Sequence, residues 1–77
     1  MKRYKNLSRN SGVVAYQTGP DFVKVQFSEG TVYVYDYASA GSHNIEHMKR
    51  LARKGLGLSS FISTTVREAF VRKEPLP

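Results

Sequence analysis

The sequence predicts a small α+β domain: a three-stranded antiparallel β-meander followed by two helices packed on one face. Two observations carry this. Three runs rich in Val, Tyr and Phe follow one another between residues 13 and 37, separated by turn residues. From Ser42 onward the apolar period lengthens from two to about 3.6. The length sets the scale: 77 residues make one domain, and a chain this short buries only about 60% of its unfolded surface. The folded part is expected over 11–72, with a basic, fraying segment at 1–10 and a proline-punctuated tail at 73–77.

The expected strands are Val13-Val14-Ala15-Tyr16-Gln17, Phe22-Val23-Lys24-Val25-Gln26-Phe27 and Val32-Tyr33-Val34-Tyr35-Asp36-Tyr37. Thr18-Gly19-Pro20-Asp21 and Ser28-Glu29-Gly30 supply the turns. At about 100° per residue, Ile45, Met48, Leu51 and Ala52 fall on one arc, with Lys49, Arg50, Arg53 and Lys54 opposite, so an amphipathic helix is expected over 43–54. Ser42 suits its N-cap, Glu46 its first turn and Gly55 its C′ position. Phe61, Ile62, Val66, Ala69 and Phe70 suggest a second helix over 59–71. The poor helix propensity of Ser63-Thr64-Thr65-Val66 implies that it is short or extended at its end.

The second turn decides where Tyr33, Tyr35 and Tyr37 point. With Glu29-Gly30 as a two-residue loop, Phe27 pairs with Val32, and the tyrosines join Lys24 and Gln26 as a basic aromatic platform. With Ser28-Glu29-Gly30 as a three-residue loop, Val25 pairs with Tyr33 and Val23 with Tyr35, placing the rings on the core face. Glu29 is a poor first residue for a primed turn, whereas Gly30 suits a left-handed bulge position, which favours the second register. Tyr4, Tyr16 and Tyr37 remain as aromatic contacts in that case.

Twelve Lys and Arg against six Asp and Glu give a formal net charge of +6 and attraction to polyanions. With no Cys there is neither a disulfide frame nor a thiolate metal site, as in a reducing compartment. No segment approaches the ~20 apolar residues of a membrane span, so a cytoplasmic protein with no membrane partner is expected.

Phosphate neutralisation supplies the sequence-independent part of nucleic-acid affinity. Lys49, Arg50, Arg53 and Lys54, joined by Arg67, Arg72 or the basic N-terminal residues, are the candidate contacts. His43-Asn44-Ile45-Glu46-His47 spells H-x-x-E-H, which on a helix puts two histidines on one face as zinc ligands with the intervening Glu46 as a general base. A catalytic zinc also needs a third ligand and a substrate cleft, which 77 residues hardly accommodate, so neither metal nor cofactor is expected. Gly55-Leu56-Gly57 reads as a helix-to-helix turn ahead of a phosphate-binding loop, since no lysine-serine pattern follows. Nothing pairs a Ser nucleophile with a base, so no enzyme is expected.

The order Val13-Val14-Ala15-Tyr16, Val23-Lys24-Val25-Gln26-Phe27-Ser28-Glu29-Gly30, Tyr33-Val34-Tyr35 and Gly55-Leu56-Gly57-Leu58-Ser59-Ser60-Phe61-Ile62 resembles the KTSC domain. That family is named from the C-terminus of some lysyl-tRNA synthetases and also occurs as small stand-alone bacterial or phage proteins. The likeness spans about residues 11–70. It departs at Asp36-Tyr37-Ala38-Ser39-Ala40-Gly41-Ser42, where a valine-proline often follows the tyrosine pair, and at Ser63-Thr64-Thr65. The resemblance implies a binding module, with RNA as the proposed ligand, and assigns no site residue. The combined expectation is a non-catalytic RNA-binding module using Lys49, Arg50, Arg53, Lys54 and Arg67, with aromatic contacts from Tyr33, Tyr35 and Tyr37. The alternative is a protein-interaction module that docks an acidic partner.

Overall fold

The computed structural model describes residues 1–9 and 11–75. In chain order the elements are β1 (Lys2–Arg3), β2 (Val13–Thr18), β3 (Phe22–Phe27), β4 (Val32–Asp36), α1 (Tyr37–Ala40), α2 (Ser42–Lys54), α3 (Leu58–Phe61), a π-helical turn (Ile62–Val66) and β5 (Arg72–Glu74). The strands form one antiparallel sheet in the order β1-β2-β3-β4-β5.

Gly30 sets the register of the central hairpin. It takes φ 107°, its N–H donates to the Phe27 carbonyl at 2.9 Å, and the Phe27 N–H donates to the Thr31 carbonyl at 3.0 Å. Ser28-Glu29-Gly30 is therefore the three-residue loop, with Val25 opposite Tyr33 and Val23 opposite Tyr35. On β2 a bulge between Val13 and Ala15 lets Val13 and Tyr16, three residues apart, share the same face. Val13, Tyr16, Val23, Val25 and Tyr35 meet Ile45, Met48 and Ala52 of α2 and Leu58, Ile62 and Val66 beyond it in one core. Each such side chain, fully buried, contributes about 1.5–3 kcal/mol.

The sheet has five strands, not three, because segments expected at the frayed ends supply both edges. β1 pairs Lys2 with Tyr16 and Arg3 with Ala15, and the Tyr4 N–H continues the ladder to the Val14 carbonyl at 2.9 Å. Tyr4 holds this arm: its ring is in the core, and its hydroxyl accepts from the Leu58 N–H at 3.3 Å. At the other edge β5 sets Arg72 opposite Val34 and Glu74 opposite Val32. Glu74 bridges Arg72 Nε at 2.8 Å and Lys24 Nζ at 3.3 Å, and the two valines are buried on the helix-free face of the sheet. Leu76 and Pro77, part of the expected tail, lie outside the described residues, as does Asn10.

The helical part also differs from expectation. The third strand stops at Asp36 because Asp36 and Ser39 form a capping box that starts α1: the Ser39 N–H donates to Asp36 Oδ1 at 2.8 Å and the Asp36 N–H donates to Ser39 Oγ at 3.0 Å. Gly41, at φ 91°, then takes the N-cap position of α2, so Ser42 is its first residue and Glu46 lies beyond its first turn. Gly55 closes α2 as expected, left-handed at φ 79° with its N–H on the Leu51 carbonyl. The second expected helix ends at Val66 instead of 71. Its hydroxyls bond back to the preceding turn, Ser63 Oγ and Thr64 Oγ1 both donating to the Ser60 carbonyl, and the chain leaves through Arg67 at φ 42°.

Candidate nucleic-acid interface

Two turns of α2 carry the four cations expected to bind, and the structure divides them. Lys49 is 6% exposed. It lies four residues after Ile45, about 40° around the helix, at the margin of the apolar arc. Its stem is buried, and its ammonium donates to the Pro20 carbonyl at 3.0 Å and pairs with Glu46 at 2.8 Å. Glu46 also accepts from the Tyr37 hydroxyl at 2.7 Å. These hydrogen bonds hold the Glu46 carboxyl below its ordinary range and raise the Tyr37 phenol. Lys49 thus fastens α2 to the β2–β3 turn and is removed from the set of outward contacts.

Arg50 is exposed, with a guanidinium nitrogen 3.4 Å from His47 Nδ1. Arg53 and Lys54 are exposed in the last turn of α2, which the helix dipole favours for cations. Among the described residues neither has a carboxylate within ion-pair distance.

The N-terminal arm brings further cations to this end of the helix. The Leu7 N–H donates to the Gly55 carbonyl at 2.8 Å, and a Cβ on Gly55 would stand 2.5 Å from that of Lys5, so the arm passes directly over the α2 terminus. Lys2 and Arg53 line a groove with Tyr16, Gln17 and Thr18. Arg3, Lys5 and Arg9 line a second groove with Asn6. No Asp or Glu lines either groove among the described residues, although Glu46 feels the charge of Arg53. Glu46 is tied up with Tyr37 and Lys49, Asp36 caps α1, the Asp21 carbonyl accepts from the Tyr37 N–H, and Glu74 lies on the helix-free face.

The other expected contacts are not gathered here. The Tyr35 hydroxyl donates to the Arg67 carbonyl at 3.3 Å, which places Arg67 over β4, away from the β2 side where Arg53 lies. Tyr35 itself is 1% exposed, and burial, with a smaller effect from Tyr33, pushes its phenol up to about 12. It is a core residue, not a stacking surface. Tyr33 is half-buried, edge-on to Phe27 at 5.2 Å and Phe70 at 5.1 Å. Tyr37 is 38% exposed.

The H-x-x-E-H motif is also accounted for by packing. Glu46 is engaged by Lys49 and Tyr37, and the His47 ring packs edge-on to Phe61 at 4.7 Å. Among the described residues no three His, Cys, Asp or Glu side chains converge as metal ligands would. Gly57, at φ 85°, serves the turn into α3.

Lys2, Arg3, Lys5 and Arg9 are the residues that the helical wheel could not single out. Their only signal was the basic run around Tyr4, a lone aromatic able to anchor it. The assembled corner offers cations that form no ion pair with a carboxylate among the described residues. Chemically that suits phosphate binding. Comparison with protein-family models, curated proteins and solved structures gives no match.

Proposed function

We propose that the chain is a non-catalytic RNA-binding module whose contacts come from the N-terminal arm and the C-terminal end of α2. One observation carries the reading: among the described residues Lys2, Arg3, Lys5, Arg9, Arg53 and Lys54 are exposed at one corner without a paired carboxylate, whereas Lys24, Lys49 and Arg72 are paired and the other unpaired cations, Arg50, Arg67 and Lys73, line neither groove. Charge separated in this way makes a local positive potential larger than the net charge alone provides. The resemblance to KTSC domains supports the same reading. No helix is long and apolar enough to cross a membrane, and the absence of Cys is in keeping with the reducing cytoplasm where RNA is met.

The test is an amide-resolved NMR titration of the labelled chain with a short RNA hairpin at about 50 and 200 mM salt. Shifts confined to the arm and residues 50–55, fading at the higher salt, are expected. An unchanged spectrum at low salt contradicts RNA binding and turns the search to an acidic protein docking on the same corner.

A further inference from the structure

We infer that the RNA taken by this corner is paired, held by its phosphodiester backbone rather than by stacking of unpaired bases. The inference deepens the RNA reading and rests on it. Proteins that hold single strands combine a cationic groove with aromatic faces on which successive bases lie. Here the rings beside the cations of the corner are buried.

Five Tyr and four Phe are the whole aromatic complement. Tyr4 and Tyr16, the two rings nearest the cationic grooves, are 3% and 7% exposed, and their faces are packed in the core. Tyr35 is buried. Phe27, Tyr33 and Phe70 pack edge to face at the β5 side, where the Lys73 ammonium stands 5.3 Å from the Tyr33 ring and 5.4 Å from Phe70. Phe61 is against His47, and Phe22 lies against the Gly19 turn. Tyr37 is the exposed ring, and it sits in acidic surroundings: its hydroxyl is on Glu46, its N–H is on the Asp21 carbonyl and it follows Asp36.

What the corner does present is two grooves along the arm, one lined by Lys2 and Arg53 and one by Arg3, Lys5 and Arg9. Cations with no exposed ring among them suit phosphates rather than unstacked bases. Lys and Arg contacts to phosphates position a protein on a helix without reading sequence. Paired RNA is recognised in just this way, by shape and by phosphate and 2′-hydroxyl contacts.

The test is fluorescence anisotropy of the full chain with a labelled RNA duplex of about 16 base pairs and a labelled polyuridine of about 16 nucleotides. Both are titrated from about 50 to 200 mM salt. At about 100 mM the duplex is expected to bind at least about tenfold tighter, with a log–log salt slope of about −4.5 to −5.5 if about five or six phosphates are neutralised. Equal or tighter binding of polyuridine overturns the inference while leaving the RNA reading in place. Failure of both probes to bind at the lowest salt overturns the RNA reading, and this inference with it. Tyr37→Ala provides a second arm, because the ring is exposed and its removal leaves the core intact. Unchanged affinity for the duplex supports backbone recognition, and a loss beyond about fivefold, the size of a stacking contribution, overturns it.

Discussion

Two successive turns of α2 carry the same kind of residue to opposite purposes. Past the middle of the helix, Lys49 reaches Glu46 and the Pro20 carbonyl, and Glu46 in turn takes the Tyr37 hydroxyl, so charge is neutralised within the fold. One turn further on, Arg53 and Lys54 have no carboxylate within ion-pair distance among the described residues and are joined by the arm cations. Sequence distance between Lys49 and Arg53 is a single helical turn, yet one side chain contributes to stability and the other to the surface potential. A count of basic residues on a helix is therefore a poor guide to a binding site until the partner of each charge is known.

The largest expected effect comes from reversing the unpaired end. Lys2→Glu combined with Arg53→Glu is expected to weaken RNA binding by about 100-fold at about 50 mM salt, about 2.7 kcal/mol, with the thermal midpoint nearly unchanged. Anisotropy and a melting curve on the same sample measure both. Gly55→Ala comes next. It forces a side chain into a left-handed position and against Lys5, costing about 1–2 kcal/mol of stability. Because it displaces the arm as well, affinity falls with stability, which denaturant unfolding and binding together reveal.

Changes in the core sharpen the contrast by leaving binding alone. Tyr35→Phe removes the hydroxyl that donates to the Arg67 carbonyl and is expected to cost about 0.5–1.5 kcal/mol with unchanged RNA affinity. The folded Tyr35 phenol, held up at about 12 against an ordinary value of 10.0, favours the neutral form. Its contribution is complete below pH 10 and is lost as pH rises from 10 towards 12, so the Phe variant should show a flatter alkaline stability profile. The smallest effect is expected from Glu46→Gln. The Glu46 carboxyl is lowered by hydrogen bonds from Lys49 and Tyr37. Its contribution is present above the ordinary carboxylate range and fades as pH falls through the depressed value. Thermal melts between neutral and acid pH should differ from wild type only at the neutral end.

Much of the fold was legible because its determinants are local. Gly30 selects the hairpin register, and with it the inward direction of Tyr33 and Tyr35. The apolar spacing of Ile45, Met48 and Ala52 places α2, and Gly55 ends it. What escaped has no periodic signal. β1 and β5 are strands of two and three residues, entirely charged, and they exist because Tyr4 and the Val34 carbonyl anchor the chain beside a sheet already formed. α1 depends on the reciprocal bonds of Asp36 and Ser39, which end the strand one residue before Tyr37. For the proposed site, the exposure of Arg53 and Lys54 was legible from the wheel, whereas that of Lys49 was not, because a long side chain at the margin of an apolar arc can bury its stem. The basic N-terminal residues were candidates from charge alone, and what the sequence could not give was that the arm crosses Gly55 and so brings Lys2 and Lys5 to the end of α2.

The most direct test of this division is a matched pair, Lys49→Met and Arg53→Met, each measured for unfolding free energy in urea and for affinity to the same RNA duplex. Lys49→Met leaves the Pro20 carbonyl and Glu46 without their ammonium and is expected to lose about 1–2 kcal/mol of stability with affinity unchanged. Arg53→Met is expected to keep its stability and lose about five- to tenfold in affinity. If Lys49→Met weakens binding as much as Arg53→Met does, the two turns of α2 are one surface, and the division of labour proposed for them is wrong.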